Sequence, residues 1–243
     1  MEFVNVYEDG TRAQAYAKME FPGTYYLAYR DLPDIILAHT QGREAIDFGC
    51  GAGRSTRFLQ KIGFDVVGVD ISSDMIKMAR EIDPQGNYHL MEDGDLGAFA
   101  DNSRDLVLAV FTFDNIPTPA RKIKILKEIK RVLKPEGRLV ILVSSPEIYL
   151  HEWASFSTKD FPENKYAKNG DVVKIIQTDI EDKRPVADVI CDDGAYREIF
   201  TGTGFQCIDV YKPLGKESEP FAWVNETRIA PWVIYVLKKN ESA

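Results

Sequence analysis

At 243 residues, with 44% hydrophobic and 28% charged side chains, the chain has the length and composition of one globular α/β domain. Its formal net charge of −8 argues against nucleic acid as a partner, and no apolar run approaches the ~20 residues that a membrane span needs. The N-terminus lacks a signal-peptide pattern, and the three cysteines include no CxxC pair. We therefore expect a soluble cytoplasmic protein with no membrane and no nucleic-acid partner.

Short apolar runs alternate with amphipathic helical patterns in the middle of the chain. Strands are predicted at Glu44 to Phe48, Phe64 to Val69, Leu106 to Phe111 and Arg138 to Val143. Helices are predicted at Ser55 to Ile62, Ser73 to Ile82 and Ala120 to Leu133, with Ser73 as an N-cap. Continuously apolar strands that alternate with helices indicate a parallel sheet covered on both faces.

The alternation stops after Ser145. Within the following insertion, the runs Val172 to Gln177 and Val186 to Ile190 are predicted to pair as antiparallel strands. A helix at Tyr196 to Thr201 and two strands complete the chain. Those last strands are predicted at Phe205 to Tyr211 and Trp232 to Leu237.

A glycine-rich loop, Gly49-Cys50-Gly51-Ala52-Gly53, follows the first predicted strand. Glycines between a strand and a helix allow a sharp turn and the close approach of a ligand to the backbone. The next strand ends in Asp70, 21 residues after Gly49. A carboxylate at that point can accept hydrogen bonds from the two hydroxyls of a ribose.

Two classes of cofactor use this geometry, NAD and S-adenosylmethionine. Arg54 occupies the position of the third glycine or alanine in the dinucleotide fingerprint. Asp47, just ahead of the loop, does not suit an anionic pyrophosphate but does suit a cofactor with positive sulfonium and amino groups. The residues favour S-adenosylmethionine, and an NAD-linked oxidoreductase is the less favoured alternative.

Ordered motifs carry a resemblance to a known family. Asp47 to Gly53 resembles the first motif of the class I, Rossmann-like S-adenosylmethionine-dependent methyltransferases, and Val69 to Ser72 resembles their acidic loop. Glu92 to Leu96, Asp105 to Phe111 and Arg131 to Leu139 resemble later motifs in the same order. The resemblance covers residues 40–145 well and 194–237 more loosely.

The resemblance implies a doubly wound, mainly parallel seven-stranded α/β sheet and a methyltransferase of the small-molecule type. It implies S-adenosyl-L-methionine as the cofactor and S-adenosyl-L-homocysteine as its product. Asp95 is implied as the acceptor for the adenine amino group. The implied cofactor-binding residues are Asp47, Gly49, Cys50, Gly51, Gly53, Asp70, Ile71, Met75, Asp95, Leu96 and Phe111.

We expect one methyltransferase domain with four parts. They are an N-terminal helical lid (1–40), a cofactor-binding core (41–145), an antiparallel lid inserted after strand five (146–193) and a segment that completes the core (194–243). Both lids are rich in aromatic residues, which suits an aromatic or apolar small-molecule acceptor. The tyrosines of the first lid are Tyr7, Tyr16, Tyr25, Tyr26 and Tyr29. Tyr25, Tyr26 or Arg30 is a candidate to hold the carboxylate of the cofactor.

Methyl transfer to O, N or C of a small molecule is an in-line displacement, in which the enzyme chiefly aligns the acceptor. An oxygen acceptor needs a general base. His151, soon after strand five, and Asp114, just past strand four, are the candidates. The chain lacks the pattern around a catechol-type magnesium site, so we expect no metal. A cofactor-binding module without catalysis is the alternative outside the enzymes.

Overall fold

Ten strands are found in the part of the chain that the computed structural model describes, residues 22–240. They are β1 Glu44–Phe48, β2 Asp65–Asp70, β3 Asn87–Leu90, β4 Arg104–Val110, β5 Leu133–Ser144, β6 Phe156–Ser157, β7 Val172–Gln177, β8 Val186–Val189, β9 Phe205–Tyr211 and β10 Trp232–Lys239. Seven of them form the central sheet, in the order β3-β2-β1-β4-β5-β10-β9. Strand β10 pairs antiparallel with both β5 and β9, and the other four pairings in this sheet are parallel. The predicted mainly parallel seven-stranded sheet is confirmed.

The helices of the described chain are α1 Thr24–Arg30, α2 Leu32–His39, α3 Arg54–Lys61, α4 Ser73–Ile82, α5 Pro119–Val132 and α6 Asp193–Gly202. The predicted cap of α4 is wrong by one residue. Ser72 is the N-cap, and its hydroxyl accepts a 3.3 Å hydrogen bond from the backbone amide of Met75. Helix α6 begins three residues before the prediction, because Asp192 caps it by accepting a bond from the Ala195 amide.

The two faces of the sheet belong to two separate hydrophobic clusters, as alternating side chains on a strand require. On β4, Leu106 and Leu108 face the cluster that includes residues of α1, α2 and α3. Val107 and Ala109 face the opposite cluster, to which α5 and α6 contribute. Helices therefore cover both faces, and the central strands are apolar without interruption because neither face meets water.

A second sheet, β6-β7-β8, is antiparallel and lies within the insertion after β5. The predicted pairing of the runs that begin at Val172 and Val186 is confirmed, with Val172 opposite Val189. Phe156, Val173 and Ile175 from this sheet are buried in the cluster that also contains Tyr25 of α1. The insertion thus packs onto the first helix, and we refer to α1 and the insertion together as the predicted lid, or simply the lid.

The loops that follow β1, β2, β4 and β5 all lie at the carboxyl-end edge of the sheet, because these strands are parallel. After β1 the chain continues to β2 on one side of β1, and after β3 it returns to β4 on the other side. In open α/β sheets ligands bind where the strand order reverses in this way, which here is between β1 and β4. Within residues 22–240 every helix is too short or too polar to span a lipid bilayer. Tyr7 and Tyr16 of the first predicted lid lie outside the described residues.

Candidate functional site

The glycine loop between β1 and α3 is tied to the end of β2. The amides of Gly49 and Cys50 both donate to the carbonyl oxygen of Val69, at 2.8 and 3.0 Å. Gly49 and Gly51 have φ angles of +73° and +53°, in the left-handed region that glycine adopts without strain. A Cβ atom on Gly49 would also collide with the side chain of Thr112, which follows β4. The glycine loop therefore packs closely against the segment that follows β4, the strand next to β1.

Asp70 lies at the carboxyl end of β2 and holds the glycine loop from the side. One carboxylate oxygen accepts a 2.8 Å hydrogen bond from the amide of Gly51, and the other accepts a 2.9 Å bond from the amide of Ser72. Burial raises the pKa of Asp70, although these backbone hydrogen bonds oppose the shift. A carboxylate can accept about four hydrogen bonds, so it can still accept bonds from two hydroxyls of a ligand.

A cavity of about 240 Å³ opens beside Asp70 at this edge of the sheet. Its walls come from the glycine loop, the ends of β2 and β4, the segment after β3, and the first turns of α5. The lining residues are Phe48, Gly49, Gly51, Asp70, Ile71, Ser72, Met75, Met91, Asp93, Gly94, Val110, Phe111, Thr112, Asn115, Ile116, Pro117, Arg121 and Ile125. Its size and its mixture of apolar walls with a few polar groups are those of a small-molecule site.

A second cavity, of about 40 Å³, lies under the lid. It shares Phe111 and Asn115 with the larger cavity. Phe111 has a φ angle of +59°, an uncommon and strained conformation for a residue with a bulky side chain. The second cavity is lined by Tyr25, Phe111, Asp114, Asn115, Ser144, Ile148, Tyr149, Phe156, Ile175, Val186, Asp188 and Trp232. The two cavities therefore meet at Phe111, the strained residue directly after β4.

Two buried carboxyl groups line the second cavity. Asp114 accepts a 2.9 Å hydrogen bond from the backbone amide of Ser144, and Asp188 accepts a 3.0 Å bond from the hydroxyl of Tyr149. Burial raises the pKa of Asp114 to about 6, while the Ser144 amide and the charge of Lys122 oppose the shift. Such a carboxyl can exchange a proton near neutral pH, as a general base must.

A third cavity, of about 50 Å³, lies on the other side of the glycine loop. Cys50 and Arg54 line it, and Arg54 lies over the rings of Tyr25 and Tyr29, with its guanidinium carbon 5.4 and 5.5 Å from their centres. Burial raises the pKa of the Cys50 thiol, so this side chain stays a neutral, small wall residue.

Most of the predicted cofactor-binding residues come together at these cavities. The large cavity is lined by Gly49, Gly51, Asp70, Ile71, Met75 and Phe111. Cys50 lines the third cavity, and Asp114, a predicted base, lines the second. Asp47 and Gly53 line none of these three cavities. Asp47 is buried and accepts bonds of 2.7 and 2.6 Å from the hydroxyls of Ser55 and Thr56.

Other predicted residues lie away from the cavities. Tyr26 packs on Phe221, and Arg30 is bound to Asp31, Glu219 and a backbone carbonyl of the long 212–231 connection. Asp95 is exposed and accepts a bond from the amide of Gly97. Leu96 is buried in the hydrophobic core beneath α5. His151 pairs with Glu147 at 3.1 Å on the surface, with 36% of its side chain exposed.

Asp93, Asn115 and Arg121 are among the lining residues of the large cavity that were not predicted from the sequence. Asp93 stands two residues before the predicted Asp95, and its carboxylate pairs with Arg121 and Lys124 at 2.6 and 2.8 Å. The sequence signal for it was the Glu92-Asp93-Gly94-Asp95 run, in which two aspartates compete for one role. Between residues 22 and 240, His, Cys, Asp and Glu side chains form no group of three or more that could bind a metal.

Part of the chain is similar in sequence to known methyltransferases. Residues 46–141 match the family model described as "Methyltransferase domain". The chain is 39% identical to a demethylmenaquinone methyltransferase of Tropheryma whipplei over 108 residues. These residues make up 44% of this chain and 44% of that protein. It is 29% identical over 178 residues to the N-demethylindolmycin N-methyltransferase of Streptomyces griseus, covering 71% of this chain and 73% of the other. The chain thus spans less than half the length of the demethylmenaquinone relative.

Solved structures support the fold. An S-adenosylmethionine-dependent methyltransferase of Methanosarcina mazei superposes with a TM-score of 0.62 at 20% identity, over 85% of this chain and 97% of the other. One from Mesorhizobium loti does so with a TM-score of 0.62 at 17% identity, over 87% and 98%. At these identities the likeness is one of fold.

Proposed function

We propose that this protein is an S-adenosylmethionine-dependent methyltransferase acting on a small molecule, because residues 46–141 match a methyltransferase family model and the sheet resembles that of a solved methyltransferase. The methyl group passes to O, N or C of the acceptor, and S-adenosylhomocysteine is the second product. The relatives include a demethylmenaquinone methyltransferase and an N-demethylindolmycin N-methyltransferase, which supports a small-molecule acceptor. The aromatic walls of the second cavity support an aromatic or apolar acceptor.

One observation carries the proposal. The Asp70 carboxylate stands at the carboxyl end of β2, bonded to the glycine loop and open to a cavity of about 240 Å³. The lining fits the cofactor. Asp70 has remaining acceptor capacity for the ribose hydroxyls, Met75 and Ile71 offer apolar contact for adenine, and glycines at positions 49 and 51 leave room beside the backbone.

For the adenine amino group we propose Asp93 as the acceptor, in place of Asp95, because Asp93 lines the cavity and Asp95 does not. Asp47 acts through the loop. Its two hydroxyl partners lie in the first turn of α3, and its other oxygen, Oδ1, is buried without a partner among residues 22–240. This negative charge beneath the glycine loop suits a cofactor that carries positive charge.

S-adenosylmethionine supplies a methyl group on a positively charged sulfur, so an acceptor lone pair can displace it in one step while sulfur keeps the electrons of the broken bond. The chain's own residues align the acceptor and exclude water. The ring of Phe111 lies between the cavities and orients what enters the second one. Asp114 takes the proton that the acceptor loses. No metal has a role in the proposal, so transfer persists in a chelator, and its loss there would contradict this part.

The test is isothermal titration with S-adenosylmethionine, S-adenosylhomocysteine and NAD. We expect the wild type to bind both sulfur compounds and Asp70→Asn to bind them at least about tenfold more weakly, since hydrogen bonds to a charged group contribute ~1.5–3 kcal/mol. Asp65→Asn, an exposed carboxylate at the start of the same strand, is the matched control and binds normally. Binding of NAD alone would overturn the proposal, and binding without turnover of any acceptor would favour a non-catalytic module.

A further inference from the structure

Four aromatic rings, connected through contacts with Tyr25 and Trp232, form part of the apolar side of the second cavity. Tyr25 lies 5.7 Å from Phe111, 5.1 Å from Phe156 and 5.7 Å from Trp232, measured between ring centres. Trp232 also lies 4.8 Å from Phe111 and 5.8 Å from Phe156. The faces of aromatic rings are electron-rich and attract cations, Trp and Tyr more strongly than Phe. Arg54 already uses this attraction over the ring of Tyr25 from the third cavity.

The polar side of the same cavity consists mainly of hydrogen-bond acceptors. Asp114 and Asp188 contribute carboxyl groups, and the hydroxyl of Tyr149 donates to Asp188. Asn115, on the wall shared with the large cavity, donates through Nδ2 to the carbonyl of Phe111 at 3.1 Å. Its Oδ1 is buried and has no hydrogen-bond partner within residues 22–240. A buried acceptor without a partner is costly, so this oxygen points to a ligand that donates hydrogen bonds.

A buried lysine lies near the carboxyl groups of this cavity. Lys122 is buried, acts electrostatically on Asp114, and donates a 2.5 Å hydrogen bond to the carbonyl of Phe113. It does not line the cavity. Asp114 and Asp188 therefore present two carboxyl groups to the cavity, and an ammonium group bound there would be attracted to both of them.

We propose that the second cavity binds the protonated amino group of the acceptor, which makes the reaction an N-methylation of a small amine. The proposal rests on the proposed function. The four rings enclose the ammonium group, and Asp114, Asp188 and Asn115 accept its hydrogen bonds. At about 40 Å³ the cavity takes a small head group only.

The proton balance follows from the same residues. The ammonium group gives one proton to the carboxylate of Asp114, and the lone pair left on nitrogen forms the bond to the methyl carbon. Burial raises the pKa of Asp114 to about 6, and burial lowers that of an ammonium group, so the two approach each other. The product is a secondary ammonium ion, or a tertiary one from a secondary amine, and the proton on Asp114 returns to solvent after product release.

Neutral or anionic acceptors fit this lining poorly. A carboxylate or phenolate would face the carboxyl groups of Asp114 and Asp188, and like charges at close range in a buried site are destabilising. An alcohol offers one donor for several acceptors and gains little from the electron-rich rings.

The test compares matched cationic and neutral probes, propylammonium with 1-propanol and benzylammonium with benzyl alcohol, by saturation-transfer NMR with S-adenosylhomocysteine bound. We expect each cation to bind at least about tenfold more tightly than its alcohol, since charge-assisted bonds and ring contacts act together. Asp114→Asn should reduce this preference to about threefold or less, whereas Asp160→Asn, an exposed lid carboxylate, should keep it.

Phe156→Leu is the second variant should Asp114→Asn fail to fold. It removes one ring of the cage and should lower the preference for the cation about threefold, because a cation–π contact is weak at each ring. Equal binding of amines and alcohols to the wild type, or undetectable binding of the amines, overturns the amine proposal. S-adenosylhomocysteine binding, measured in the same samples, distinguishes that failure from a failure of the methyltransferase proposal.

Discussion

The hydroxyl of Thr24 donates a 2.7 Å hydrogen bond to Oε1 of Glu226, which lies 202 residues further along the chain. Glu226 is fully buried, and the same oxygen accepts a 2.7 Å bond from the amide of Ala154 in the lid. Its other oxygen accepts bonds from the amides of Val224 and Asn225. One carboxylate thus joins the start of α1, the inserted lid and the long connection before β10. It holds the lid in place over the second cavity.

Replacing Glu226 with Gln should destabilise the protein. Both oxygens of Glu226 accept hydrogen bonds, and in Gln one of them is replaced by an NH2 group, which cannot accept. The buried donors on that side would be left without a hydrogen-bond acceptor. We expect the free energy of unfolding in urea to fall by about 2–3 kcal/mol, since hydrogen bonds to a buried charged group contribute about that much. Glu163→Gln, at an exposed site in the lid, is the control and should change stability by less than ~0.5 kcal/mol. A Gln variant as stable as the wild type would show that these contacts contribute nothing net.

Asp47 predicts a pH dependence of stability. Burial raises its pKa to about 6, despite the hydroxyl bonds from Ser55 and Thr56. Between its unfolded pKa of 3.8 and about 6, the folded state binds more protons than the unfolded state. The contribution of this group to stability is therefore fully present below the unfolded pKa and is lost as the pH rises toward the folded one.

Asp47→Asn removes this dependence. Relative to the wild type, the variant should gain about 2–3 kcal/mol of unfolding free energy between about pH 4 and pH 8, because one pKa unit corresponds to ~1.4 kcal/mol. The comparison between the two pH values cancels packing differences that do not titrate. Asp65→Asn, at the exposed start of β2, should show no such change. A constant difference at all pH values would mean that Asp47 does not titrate in this range.

The core of the fold was predictable because its strands are apolar on both faces. Ile46, Val107 and Ile141 are fully buried, and such runs have few other interpretations once helices alternate with them. The strand β3 was not predicted from its residues, because it is short, lies at the edge of the sheet and buries only Tyr88 among Asn87–Leu90. Glycine positions were predictable for a different reason, since their conformations exclude most other residues.

The direction of individual side chains in α1 and in the turn after β3 was not predictable from the sequence. In α1 the inward residues are Tyr25 and Tyr29, four apart, while Tyr26 and Arg30 lie on the neighbouring stripe and bind the long connection before β10. Each of these two stripes carries a tyrosine, so the sequence alone does not show which stripe faces inward, and packing decides it. Asp93 and Asp95 differ in the same way, because a positive φ of 40° at Asp93 sets the course of the turn.

The aspartate pair after β3 offers a direct test of that difference. Asp93 lines the large cavity, whereas Asp95 accepts a 2.7 Å bond from the amide of Gly97. Asp93→Asn should weaken binding of S-adenosylhomocysteine about tenfold, which is the effect of one charge-assisted hydrogen bond, and Asp95→Asn should change it less than about twofold. Titration calorimetry measures both. The reverse ranking would return the adenine contact to Asp95.

The two predicted bases, His151 and Asp114, can be separated by pH. The Asp114 carboxylate must be ionised to hold a cation, so affinity for propylammonium should fall about tenfold per pH unit below about 6. The ionisable groups that interact with Asp114 come from several elements and include Lys122, Tyr149, Cys191 and Tyr196. His151 is the other predicted base, which makes it the competing explanation for any such curve. We expect His151→Ala to keep the curve unchanged and Asp114→Asn to flatten it at low affinity. A curve that disappears in His151→Ala would assign the titration to the histidine and remove Asp114 from the site chemistry.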